Sequence, residues 1–157
     1  MARGGTRRIV RESEMDWMLL PLRRYALFTG RARPKEYWMF ALFIALATIV
    51  LAIVESVLGI GSGESVRTIG DGSLSVYSQH NFGWLTGLFS LAMLVPSLAV
   101  GVRRLHDTDR SGWWLLIGLI PLAGGIVLFV FFVMSGTRGP NRFGPDPIET
   151  GEGGALR

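Results

Sequence analysis

Residues 82–134 read FGWLTGLFSLAMLVPSLAVGVRRLHDTDRSGWWLLIGLIPLAGGIVLFVFFVM. Two runs without a charged residue, Phe82 to Val102 and Trp113 to Met134, flank a short segment crowded with ionisable side chains. A third uncharged run, Tyr37 to Val54, lies upstream. A bilayer core about 30 Å thick is crossed by roughly 20 apolar residues rising about 1.5 Å each, and all three runs fall in or near that range. A soluble fold has no use for three of them. The expected fold is therefore an all-α membrane protein, a small helical bundle of about three transmembrane segments.

Composition agrees, with 49% hydrophobic residues against 18% charged, away from the balance of soluble domains. The absence of cysteine excludes disulfides, thiolate catalysis and cysteine-bound metal. A net charge of +4 would suit nucleic acid. The arginines crowd beside the apolar runs, however, so the lipid bilayer and its anionic headgroups are the expected partners and nucleic acid is not. Three helices enclose no pore alone, so transport would need a homo-oligomer or a membrane-protein partner.

Outward from the apolar runs, the chain divides simply. Residues 1–14 are expected to be a disordered basic extension, with Met15 the start of patterned sequence, and 148–157 a disordered tail. Between them, 15–147 should form one membrane domain. Its first part, 15–28, sets Trp17, Leu19, Leu20, Leu22, Tyr25 and Phe28 against Arg23 and Arg24, which predicts an amphipathic helix at the membrane interface. Pro34 suits the first turn of the next helix. Spans are expected over about 36–57, 82–103 and 113–134. Glu55 should reach the far interface, residues 59–81 should be an exposed loop, and Pro96 should free a carbonyl that a neighbour must satisfy.

Nine Lys and Arg precede the first span, one lies in the 59–81 loop, three follow the second run and three lie in the tail. The positive-inside rule puts the N-terminus in the cytoplasm. For the last run two topologies compete. A crossing suits its length and its Phe129, Phe131 and Phe132, and it is the expected one. A re-entrant hairpin turning at Pro121 to Gly125 would instead bring the tail's arginines inside.

Two polar constellations stand out. The first is Arg103, Arg104, His106, Asp107, Asp109 and Arg110; the second is Asn141, Arg142 and Asp146, held among Gly139, Pro140, Gly144, Pro145 and Pro147. In the first, Arg–Asp pairs can pin helix ends, with Asp109 or Ser111 capping the helix near Trp113. An anion or headgroup site is the second reading. Metal binding or base catalysis by His106 and Asp107 is the third, weakened because adjacent helical residues point about 100° apart. If the hairpin forms, Asp146 meets Arg31, Arg33 and this cluster, and a basic cytoplasmic pocket results. No phosphate loop, GxSxG or HExxH occurs, so neither catalytic residues nor a cofactor or metal is assigned.

Met15-Asp16-Trp17, FTGRARPKEYWMF, RRLHDTDRSGWW with the following IP, and GTRGPNRFGPDP together resemble the domain-of-unknown-function family 805, the YhaH-like bacterial inner-membrane proteins. The resemblance covers about residues 15–147 and departs at Pro34, where many relatives carry a basic residue, and in a longer Gly/Ser loop. It implies a small plasma-membrane protein and no reaction. Two functions are in view: a non-enzymatic component that binds lipid or partner proteins or assists transport, and a membrane-embedded enzyme acting on headgroups through the 103–110 cluster.

Overall fold

A computed structural model of the chain describes residues 14–60, 67–70, 73–76 and 83–149. The expectations for 1–13 and 150–157 lie outside the described residues. In order come helices α1 (Glu14–Arg23) and α2 (Pro34–Val57), strands β1 (Arg67–Gly70) and β2 (Ser73–Val76), helix α3 (Trp84–Asp107), a 3₁₀ helix (Gly112–Leu119) and helix α4 (Ala123–Val133). The architecture is the expected helical membrane bundle.

Helices α2 and α3 have 24 residues each, so each is about 36 Å long and able to cross a bilayer. Their outer faces are apolar. Ile49, Val50 and Ile53 on α2 and Leu88, Leu91 and Leu94 on α3 are each more than half exposed. A helix at the centre of a soluble protein would bury such residues, whereas lipid is their natural solvent. Packing is concentrated near one end, where Ala32, Phe40 and Val100 are buried and Leu22, Tyr37, Phe43, Ile44 and Met93 close around them.

Pro34 opens α2 at its first turn, as expected. Helix α1 stops earlier than expected, at Arg23 rather than 28. The chain then turns, with the Leu27 amide donating to the Arg24 carbonyl, and Gly30 takes φ +83°, a conformation costly for any residue with a Cβ. Tyr25 in this turn answers the question posed by Pro96. A proline at 96 cannot donate to the carbonyl of Ala92, and the Tyr25 hydroxyl donates to it instead.

Glu55 lies at the other end, near the end of α2, and is buried. Its carboxylate accepts from the Thr86 amide at 3.0 Å and the Thr86 hydroxyl at 2.6 Å, satisfying the start of α3 from a neighbouring helix. A Cβ on Gly83 would stand 1.9 Å from the Glu55 carboxyl carbon, so a larger residue there would displace the carboxylate from this position.

Other expectations need correction. Within 59–81, β1 and β2 pair antiparallel from Arg67 opposite Val76 to Gly70 opposite Ser73, where an exposed loop was expected. The last apolar run is not one helix. A 3₁₀ helix of eight residues, about 16 Å long, is followed by α4 of eleven, also about 16 Å. They fold back on each other at residues 120–122. Pro121 has no amide to continue the first helix, Leu122 takes φ +62°, and a Cβ on Gly124 would lie 1.8 Å from the Ile117 carbonyl oxygen. Helix α3 also runs past residue 103 to Asp107, so the first half of the charged segment is helical.

Candidate functional site

The C-terminal ends of α3 and α4 meet, and the candidate polar residues gather there. A helix C-terminus leaves its last carbonyls without intrahelical partners and carries partial negative charge, so it attracts donors and cations. Both ends are met in this way. The Arg104 guanidinium donates from Nε to the Phe132 carbonyl at 3.2 Å and from Nη2 to that of Met134. The Trp38 indole reaches the same Phe132 carbonyl at 3.3 Å. The Asp107 carbonyl accepts from the Thr137 amide at 2.8 Å and hydroxyl at 3.1 Å, and the His106 carbonyl accepts from the Asn141 side chain at 2.9 Å.

Asp107 is the hub of the arrangement. Arg31 Nε donates to its Oδ1 and Arg104 Nη1 to its Oδ2, each at 3.0 Å, with all three side chains no more than 4% exposed. The other arms of Arg31 donate to the carbonyls of Thr137 and Gly139. One buried carboxylate thus joins the chain before α2, the end of α3 and the C-terminal loop. Gly136 makes the approach feasible, since a Cβ there would fall 2.0 Å from Asp107 Oδ2. A second buried pair, Arg103 Nη1 with Glu36 Oε1 at 2.6 Å, ties α3 to the first turn of α2, and the Ala32 amide donates to the Arg103 carbonyl at 3.0 Å.

The Gly/Pro loop is shaped by its own polar residues. Asp146 accepts from the amides of Ile148 at 2.8 Å and Gly139 at 3.0 Å. Those bonds, chiefly the one from Ile148, together with the charges of Arg31 and Arg33, hold its carboxyl below the usual aspartate range despite burial. Arg33 donates to the Pro147 carbonyl. Asn141 Oδ1 accepts from the Phe143 amide at 2.9 Å, and the Phe143 ring stacks on His106 at 3.9 Å, nearly parallel. His106 Nδ1 lies 3.1 Å from the Gly30 carbonyl, which can only accept, so that nitrogen carries the hydrogen in this contact. At the exposed rim, Arg142 pairs with Asp109 at 3.2 Å.

All the singled-out residues are therefore neighbours, but not as an open pocket. Arg31, Arg103, Arg104, Asp107 and Asp146 are buried and hold one another or backbone; Asp109 and Arg142 face outward, and Arg33 and Arg110 are half-buried. Arg104, considered above as one of the arginines open to Asp146, pairs with Asp107 instead. Ser111, rather than Asp109, caps the 3₁₀ helix. Sequence reasoning missed Glu36, Thr137, Phe143 and Gly136. Only Glu36 carried a signal, an acidic residue in the first turn of a helix. Among the described residues no group of three or more His, Asp or Glu is arranged to hold a metal ion.

Comparison with known proteins places this geometry in context. A family model described as a protein of unknown function, DUF805, matches residues 25–145. The chain is 44% identical over 133 residues to inner membrane protein YhaH of Escherichia coli (strain K12), covering 85% of this chain and 97% of the relative. It is 41% identical over 133 residues to inner membrane protein YhaI of the same organism, covering 85% and 96%. No solved structure matches.

Proposed function

The chain belongs to the DUF805 family of unknown function, and on that premise we propose that it is a non-enzymatic component of the bacterial inner membrane whose basic cytoplasmic face engages anionic headgroups. The observation that carries this reading is the mutual occupation of the polar residues. Asp107, the best-placed carboxylate for chemistry, already holds two guanidinium groups, and His106 lies between the Phe143 ring and the Gly30 carbonyl. A general base needs reach to a substrate proton, and Asp107 does not offer it in this arrangement, while the Gly30 carbonyl and the Phe143 ring hold His106 in place. The reading of an enzyme acting on headgroups through 103–110 is correspondingly weakened.

The proposed topology has two crossings, α2 and α3, with both termini in the cytoplasm. Support comes from the contact of Thr137 with Asp107, which returns the end of the last apolar run to the end of α3. The hairpin arms, each about 16 Å, reach only about half of a 30 Å hydrocarbon core. The arginine distribution favours the same side for both tails. Paired fusions after Arg157 that report opposite compartments test the topology, and a signal from the external reporter alone would refute it. Joint replacement of His106, Asp107 and Asp109 by alanine tests the function: a structural cluster predicts loss of membrane accumulation by immunoblot. Normal accumulation would favour the enzyme.

A further inference from the structure

Within the charged segment the cations are paired unevenly. Arg103 holds Glu36, Arg104 holds Asp107, and Arg142 arrives from the C-terminal loop to hold Asp109. Arg110 has no carboxylate partner among the described residues. Its guanidinium lies 4.0 Å over the Phe131 ring and gives one hydrogen bond, from Nη1 to the Thr108 carbonyl at 3.1 Å. Phe131 in turn meets Trp114 edge-on at 5.5 Å. Trp114 borders a cleft of about 430 Å³ whose other walls are Ser111, Trp113 and Ile117. A half-buried cation, two aromatic rings and an apolar cleft are thus contiguous along one side of the hairpin.

The cleft has a direction. Ser111 stands at the charged end, and Ile117 is six residues along the 3₁₀ helix, about 12 Å deeper at 2.0 Å per residue. Trp113 is 79% exposed beside the charged segment, and indole rings favour the level between headgroup and hydrocarbon. We propose that this cleft binds one anionic glycerophospholipid, its phosphate against Arg110 and the start of an acyl chain between Trp113, Trp114 and Ile117. A water-soluble anion would find no use for the apolar walls, and a zwitterionic lipid would cancel part of the attraction to Arg110.

The inference rests on the proposed function, which sets this end of the bundle among headgroups. Native mass spectrometry of the full chain in detergent, with equal phosphatidylglycerol and phosphatidylcholine added, reads both. The expected result is one retained phosphatidylglycerol in preference to phosphatidylcholine. Arg110→Gln should lower that preference about fivefold, the equivalent of about 1 kcal/mol for one basic residue at a lipid surface. Arg110→Lys should largely keep it, and Ile117→Trp, which fills the cleft, should reduce retention of either lipid. Preference unchanged in Arg110→Gln and retention unchanged in Ile117→Trp would overturn the cleft while leaving a basic face elsewhere. If the wild-type chain shows no preference, the headgroup reading itself fails.

Discussion

At the scale of single residues, the positions that matter are those where one side chain meets several needs. Asp107 pairs with Arg31 and Arg104 at once, and both arginines also cap carbonyls. Asp107→Asn would leave two buried guanidinium groups without their counter-charge, a loss of about 3–5 kcal/mol by comparison with broken buried pairs. Thermal unfolding in detergent followed by circular dichroism measures it, and a loss below about 1 kcal/mol would show that the hub is dispensable. Asp146 has a different signature. Because its folded pKa is depressed, its contribution is fully present above the unfolded value of about 3.9 and is lost as pH falls through the lower folded value. The stability difference between wild type and Asp146→Asn should therefore hold near neutral pH and shrink in acid. A difference that stays constant from pH 7 to about 3 would rule out that carboxylate as its source. The sequence displayed these residues but not their partners: Arg31 and Asp107 are 76 positions apart, and nothing local joins them.

At the scale of elements, legibility depended on how many structures a pattern allows. The uncharged runs of α2 and α3 admit little besides long lipid-facing helices, and both were legible. Trp113 to Met134 admits two, since 22 apolar residues suit one crossing or a hairpin, and only Pro121 with Gly124 and Gly125 hinted at the break. The β pair was missed although Asp71-Gly72, a dipeptide favoured in two-residue hairpin turns, separates the two strands in sequence. The hairpin in the last run makes its own prediction. Gly124→Val would drive a Cβ into the Ile117 carbonyl, and the backbone shift should cost roughly 1–3 kcal/mol or more, lowering membrane accumulation. Accumulation equal to wild type by immunoblot would contradict the close approach. Gly125→Ala, with nothing within 4 Å of its added Cβ, serves as the neutral control.

At the scale of the whole molecule, the bundle is asymmetric. Among the described residues, one end holds the buried carboxylate of Glu55, fitted over the start of α3, while the other gathers most of the buried charge around the ends of α3 and α4. The apolar faces between them need only lipid. The heavily charged end is where the arginines, the cleft beside Trp113 and the rim of Arg142 and Asp109 lie together. Any partner that tells this protein from another apolar bundle has most to recognise there.

The three-way contact of Arg31, Asp107 and Thr137 also sets an order of events during synthesis. Arg31 emerges from the ribosome more than a hundred residues before the carbonyls of Thr137 and Gly139 that complete its coordination. Until then its charge and that of Arg104 have an incomplete set of partners, and the nascent bundle remains open at its most polar end. Closure of that end therefore requires the last motif. A chain ended after Gly136 is predicted to be inserted but cleared faster than the full chain in a pulse-chase experiment. Equal lifetimes would mean that the clasp does not serve as a mark of completion.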